Sequence, residues 1–121
     1  MMNRIFTLLL AFLIIRCAKD DQPTVAHIHK NWKFKQLEDT IWKSATVPGN
    51  VYSDLLDHKK IPDPFVGSNE LNVQWASKKN WEYQTTFELA PKTLRKSNIE
   101  LSFEGIDTYA NIYLNDTLIG L

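Results

Sequence analysis

Few side chains in this 121-residue sequence have the type and spacing to do chemistry. Cys17 is the single thiol, so no internal disulfide can form, and no Cys/His cluster has the spacing of zinc ligands. His27 and His29 stand two residues apart and would share one face of a strand, an arrangement that can begin a metal site. No third ligand is near, and they read as solvated linker histidines. Asn115-Asp116-Thr117 matches an N-glycosylation sequon, but a hairpin turn accounts for the same residues. The acidic residues fall on expected strand faces or in turns. No catalytic constellation emerges, and stability has to come from apolar burial alone.

Composition narrows the classes further. Fourteen Lys+Arg balance fourteen Asp+Glu, which removes the electrostatic argument for a nucleic-acid or anionic-membrane partner. Hydrophobic residues make up 44% and charged residues 23%, the proportions of a soluble globular chain rather than a disordered or fibrous one. The length allows at most one ordinary domain.

The first segment reads as a targeting signal over residues 1–17. Arg4 precedes an apolar run from Ile5 to Ile15, broken only by Thr7 and too short to span a bilayer as a helix. A lipoprotein signal would make Cys17 the new, acylated N-terminus, and Cys17-Ala18-Lys19-Asp20-Asp21 resembles the acidic stretch after the lipidated cysteine of surface lipoproteins in Bacteroidetes-type bacteria. Arg16 stands where such signals carry a small residue, so a plain secretory signal with Cys17 as an incidental thiol is the other reading. Either way the chain is expected to be exported: periplasmic, anchored to an outer membrane, or secreted. Membrane contact would come only through that N-terminal lipid. Residues 18–30, with Pro23 and no clear period, are expected to be a polar tether.

Strand character begins near Trp32, within a domain expected over 31–121. Trp32, Phe34 and Gln36 alternate with Lys33 and Lys35, the period of a half-buried strand. Ile41 to Ala45 is a second short candidate, closed by the turn residues Val47-Pro48-Gly49-Asn50. Val51, Leu55 and Leu56 have helical spacing, which predicts one or two turns before His58. Ile61 to Gln74 contains Pro62, Pro64, Gly67 and several Asn and Ser residues, and is expected to be a long loop. Trp81, Tyr83, Thr85 and Phe87 then alternate with Glu82, Gln84, Thr86 and Glu88, while Pro91 to Ser97 reads as a basic connection. Ile99, Leu101 and Phe103 predict another strand. Asn115-Asp116 supplies a two-residue hairpin turn between Ala110–Leu114 and Leu118–Leu121. The fold class expected is all-β: an antiparallel β-sandwich with too few strands to close two facing sheets, and so incomplete at the C-terminus. Trp32, Trp42, Trp81 and Tyr83 are expected to point inward with Phe87 and Phe103.

One ordered set of residues carries a family resemblance. It includes Trp32, Phe34, Trp42, Ala45-Thr46-Val47-Pro48-Gly49-Asn50-Val51, Asp54-Leu55, Asp63-Pro64-Phe65, Gly67, Asn69-Glu70, Gln74-Trp75, Trp81 and Tyr83, and continues through Phe103-Glu104-Gly105-Ile106-Asp107 to Ile119-Gly120. Together these resemble the N-terminal sugar-binding, galactose-binding-like jelly-roll domain of β-mannosidases in glycoside hydrolase family 2. The loop before Trp81 separates this resemblance from the related β-galactosidases and β-glucuronidases.

The resemblance implies a retaining exo-glycosidase that cleaves terminal β-mannosides with two glutamates on a (β/α)8 barrel. The chain is far too short for that barrel and lacks its alternating strand–helix pattern. No catalytic residue is therefore assigned, no cofactor is expected, and nothing is expected to ligate a metal. The implied partners are β-mannoside oligosaccharides or glycans and the barrel of the same polypeptide. The Pro62–Trp75 loop is the candidate wall of a sugar pocket, with Asn69 and Glu70 as hydrogen-bonding groups and Trp75 as a stacking face. The other reading of that loop is a purely structural role, with Asn69 and Glu70 tying it down and Trp75 packed in the core. A free-standing carbohydrate-binding or adhesion module without hydrolase activity is the alternative function.

Overall fold

A computed structural model describes residues 23–120. The signal segment, Cys17 and its expected lipidation, and the start of the tether lie outside those residues. Residues 23–30 have no regular structure, and their end is fastened by two hydrogen bonds. The Trp32 indole Nε1 donates to the Ile28 carbonyl at 2.8 Å, and the Thr85 hydroxyl donates to the Lys30 carbonyl at 2.9 Å.

Strand β1 (Lys33–Gln36) lies at the centre of a three-stranded antiparallel sheet, between β2 (Lys43–Ser44) and β3 (Trp81–Gln84). Phe34 sits opposite Lys43 on one side and Tyr83 on the other. The expected alternation holds here: Phe34 turns inward and is 1% exposed, while Lys35 turns outward and pairs with Glu82 at 3.0 Å.

Helix α1 (Val51–Asp57) forms where the spacing predicts it, and its start is a capping box. The Asn50 side chain accepts from the Tyr52 and Ser53 amides at 2.9 and 3.0 Å, and Ser53 Oγ accepts from the Asn50 amide at 3.2 Å. The turn before it requires glycine, because a Cβ on Gly49 would collide with the Thr46 carbonyl oxygen.

Two stretches differ from the sequence reading. The Ile61–Gln74 segment is not a continuous loop: it contains helix α2 (Asn69–Val73), followed by a 3₁₀ turn over Gln74–Lys78. The prolines and glycine end before Ser68, and beyond them Val73 and Ala76 bury themselves under the sheet at 4% and 0% exposure. Packing of those two residues outweighs weak local propensity. The expected strand over Ile99–Phe103 does not form, since no neighbouring strand offers it a hydrogen-bonding ladder among the described residues. Phe87 and Phe103, expected inside, are 39% and 45% exposed, because regular pairing stops at Gln84 and no described strand pairs alongside them.

The basic connection carries one turn, α3 (Pro91–Leu94). The predicted hairpin is present as β4 (Ile112–Leu114) and β5 (Thr117–Gly120), with Asn115 and Asp116 at φ 48 and 62. Both values are left-handed, as a two-residue turn requires, and Asn and Asp tolerate them better than other L-residues. The core consists of Phe34, Leu55, Ile61, Val73 and Ala76, with Ala45, Val51, Tyr52, Trp81 and Tyr83 packed around it.

Candidate functional site

Asp54 holds the scaffold that carries the Pro62–Trp75 segment. It is 1% exposed, and each carboxylate oxygen has a partner: Oδ1 accepts from the Thr46 amide at 2.9 Å, and Oδ2 accepts from the Tyr83 hydroxyl at 2.7 Å. Burial raises the Tyr83 phenol well above its ordinary pKa, and the Asp54 hydrogen bond and charge act in the same direction. Helix, turn and sheet thus meet at one carboxylate. The sequence reading assigned Asp54 no role beyond a place in the family pattern. The available signal was its position three residues after Val51, which puts an acid on the helix face that buries Leu55.

His58, at the end of α1, closes the other side of the core. Its ring lies 5.8 Å from Phe34, and its Nε2 is 2.8 Å from the Ser44 carbonyl, which ties the helix to the edge strand. Phe34 also contacts Tyr83 and Trp81, with ring centres 5.6 and 5.9 Å away.

The candidate segment is built on these supports. The Asp63 side chain accepts from the Phe65 amide at 2.9 Å, a turn that leaves Phe65 96% exposed. The Asn69 amide donates to the Asp63 carbonyl at 3.0 Å, so this side chain closes its own loop. Glu70, in the first turn of α2, is exposed and makes no side-chain hydrogen bond or ion pair among the described residues. Trp75 is 39% exposed, with its ring 6.1 Å from Trp81, and its indole N–H makes no hydrogen bond among the described residues. The Trp81 indole instead donates to the Ala76 carbonyl at 2.8 Å, locking the 3₁₀ turn against β3. Asn69, Glu70 and Trp75 therefore lie on one continuous helical stretch. One of them is engaged with its loop, one is free in solvent, and one is half in and half out of the core.

Chemically, the segment offers an acceptor carboxylate, an indole donor and a flat ring. It can hold a hydroxyl-rich ligand, but it contains no paired acid and base. Among the described residues, no three His, Cys, Asp or Glu side chains converge as a metal site, although His27 and His29 touch edge to face at 5.1 Å.

This same region is what known proteins share with the chain. The glycosyl hydrolase 2 galactose-binding domain-like family matches residues 32–121. The chain belongs to that family. A β-mannosidase B from Thermothelomyces thermophilus is 41% identical over 98 residues, covering 78% of this chain and 11% of the relative. The β-mannosidase of Rattus norvegicus is 37% identical over 90 residues, covering 74% of this chain and 10% of the relative. The crystal structure of a β-D-mannosidase from Dictyoglomus thermophilum superposes with a TM-score of 0.53 at 47% identity, over 55% of this chain and 8% of that one. The chain thus spans about a tenth of the length of the curated relatives it matches. Its antiparallel sheets are those of a galactose-binding-like β-sandwich in the glycosyl hydrolase 2 family. Asn69, Glu70, Trp75 and the buried Asp54 all fall inside the matched residues.

Proposed function

We propose that this chain is the non-catalytic N-terminal part of a β-mannosidase, an enzyme that releases terminal β-D-mannose with retention of configuration. In this reading, hydrolysis belongs to two glutamates on a barrel outside the chain. The sandwich supports the pocket, and the Pro62–Trp75 segment forms part of its wall. Glu70 would accept hydroxyl protons of a terminal β-mannoside, Trp75 would stack on its apolar face, and Asn69 would hold the loop that presents them. One observation carries the reading: the family match and the β-mannosidase identities run through this segment at 36–41%.

We also propose that the chain is exported, on the strength of Arg4 and the apolar run from Ile5 to Ile15, with Cys17 as a candidate acylation site. Intact-mass measurement of membrane-extracted protein tests this: a diacylglyceryl adduct on Cys17 supports acylation, and an unmodified thiol or cleavage beyond it removes that part.

The functional test is a chimera in which residues 32–121 replace the matching segment of the Dictyoglomus thermophilum enzyme. Hydrolysis of an aryl β-D-mannopyranoside should survive in the chimera and be absent from the isolated chain. A well-folded chimera without activity would overturn the reading.

A further inference from the structure

The tip of the Pro62–Trp75 segment carries apolar side chains that the described part of the chain leaves in water. Phe65 is 96% exposed, Val66 59% and Leu71 64%. Leu71 stands four residues before Trp75 on one helical stretch, on the side away from Val73, which is 4% exposed. Single exposed apolar residues are ordinary, but a large ring, a valine and a leucine on one short segment form a patch.

Phe65 does not lie outside because its loop is loose. The Asp63 side chain accepts from the Phe65 amide at 2.9 Å, and the Asp63 carbonyl accepts from the Val66 amide at 3.3 Å and from the Asn69 side-chain amide at 3.0 Å. The Val66 carbonyl in turn accepts from the Asn69 backbone amide at 3.2 Å, and Gly67 takes the left-handed φ of 59 that the turn needs. Hydrogen bonds on both sides of the ring thus present it to solvent in a fixed position. A pre-organised aromatic anchor loses little freedom when a partner closes over it, which is the property of an interface hot spot. The polar groups beside the ring are spent inside the loop, so the tip suits an apolar protein pocket better than a hydroxyl-rich ligand.

The size of the relatives points to the occupant. The chain spans about a tenth of their length, so in proteins of that size about nine-tenths of the polypeptide is available to cover the patch. The patch also adjoins Glu70 and Trp75, which in the reading above face a pocket completed by that remainder. We propose that Phe65, flanked by Val66 and Leu71, is the anchor by which this domain docks on the remainder of its own polypeptide, the phenyl ring entering an apolar socket there. This rests on the reading of the chain as one part of a longer enzyme, and it adds the contact that fixes the wall in place.

The test is maleimide labelling of Val66→Cys, read at position 66 by peptide mass spectrometry, in the 121-residue chain and in the chimera. In the chain alone the thiol should react at the rate of an exposed cysteine at every protein concentration. In the chimera it should react about tenfold more slowly, because a docked patch excludes water and reagent. Adding Phe65→Ala to that chimera should restore most of the lost rate, since the patch then has no anchor. Both substituted side chains are exposed, so the variants keep the fold. The proposal is overturned if Val66→Cys reacts equally fast in both proteins, or if Phe65→Ala leaves the chimera as protected as before. It is also overturned if the chain alone becomes protected as its concentration rises, which would make a second copy the occupant. A folded chimera that hydrolyses nothing but protects Val66→Cys overturns the catalytic reading alone, and an active chimera that leaves the thiol fully reactive overturns the docking alone.

Discussion

The Tyr83 hydroxyl donates to Asp54 Oδ2 at 2.7 Å, joining the third strand of the sheet to the helix twenty-nine residues earlier. The other oxygen of the same carboxylate accepts the Thr46 amide, and the whole group is 1% exposed. A carboxylate so placed must be satisfied on both oxygens to be tolerated.

Truncating that carboxylate is accordingly the most damaging polar change available. Asp54→Ala leaves the Thr46 amide and the Tyr83 hydroxyl without their acceptor and should cost about 2–4 kcal/mol. Tyr83→Phe removes one donor and keeps the ring against Phe34, so it should cost about 1–2 kcal/mol. Urea denaturation of each variant checks the order; equal midpoints for both would show that the Thr46 bond contributes nothing.

Alkaline pH should weaken the fold through Tyr83. Its folded pKa is raised above the ordinary value of 10.0, first by burial and then by Asp54. Below pH 10 both states keep the proton, so the full contribution is present. Above it the unfolded chain releases the proton while the folded chain holds it, and stability falls as pH rises. Denaturation midpoints measured at stepwise higher pH should decline more steeply for the parent chain than for Tyr83→Phe. Parallel declines would remove Tyr83 as the cause.

Phe34 and Phe65 should behave as opposites. Phe34 is 1% exposed among Tyr83, Trp81 and His58, and its replacement by Ala should cost about 3–5 kcal/mol. Phe65 is 96% exposed, and Phe65→Ala should leave stability within about 0.5 kcal/mol of the parent. Thermal melts of the two variants make the comparison directly.

In the chimera, the three candidate wall residues should separate by role. Glu70→Gln should lower kcat/KM for the aryl mannoside without moving the melting temperature, since its side chain is exposed and makes no hydrogen bond or ion pair among the described residues. Trp75→Ala should lower kcat/KM as well, with a small loss of stability from its contact with Trp81 at 6.1 Å. Asn69→Ala should reduce both together, because its amide closes the loop onto Asp63. A large fall in melting temperature for Trp75→Ala would mark that ring as core and take it out of the proposed wall.

Local patterns in the sequence were enough for several elements. Alternation around Phe34 and Tyr83 marks two paired strands, the spacing of Val51, Leu55 and Leu56 marks the helix, and Asn115-Asp116 marks the hairpin turn. Each depends on neighbours within a few residues, through side-chain period or a left-handed dihedral, and so is written in the chain itself. The ordered set from Trp32 to Gly120 also carries the family.

Burial was decided only in three dimensions. Phe34, not the tryptophans, holds the centre; Val73 and Ala76 from the supposed loop complete the core; Phe87 and Phe103 stay partly in water; and an aspartate lies deepest among the polar groups. None of these follows from local spacing, because burial depends on which distant segment crosses above a residue. Here Tyr83 and Thr46 bring their donors to Asp54, while no described strand comes alongside Phe103.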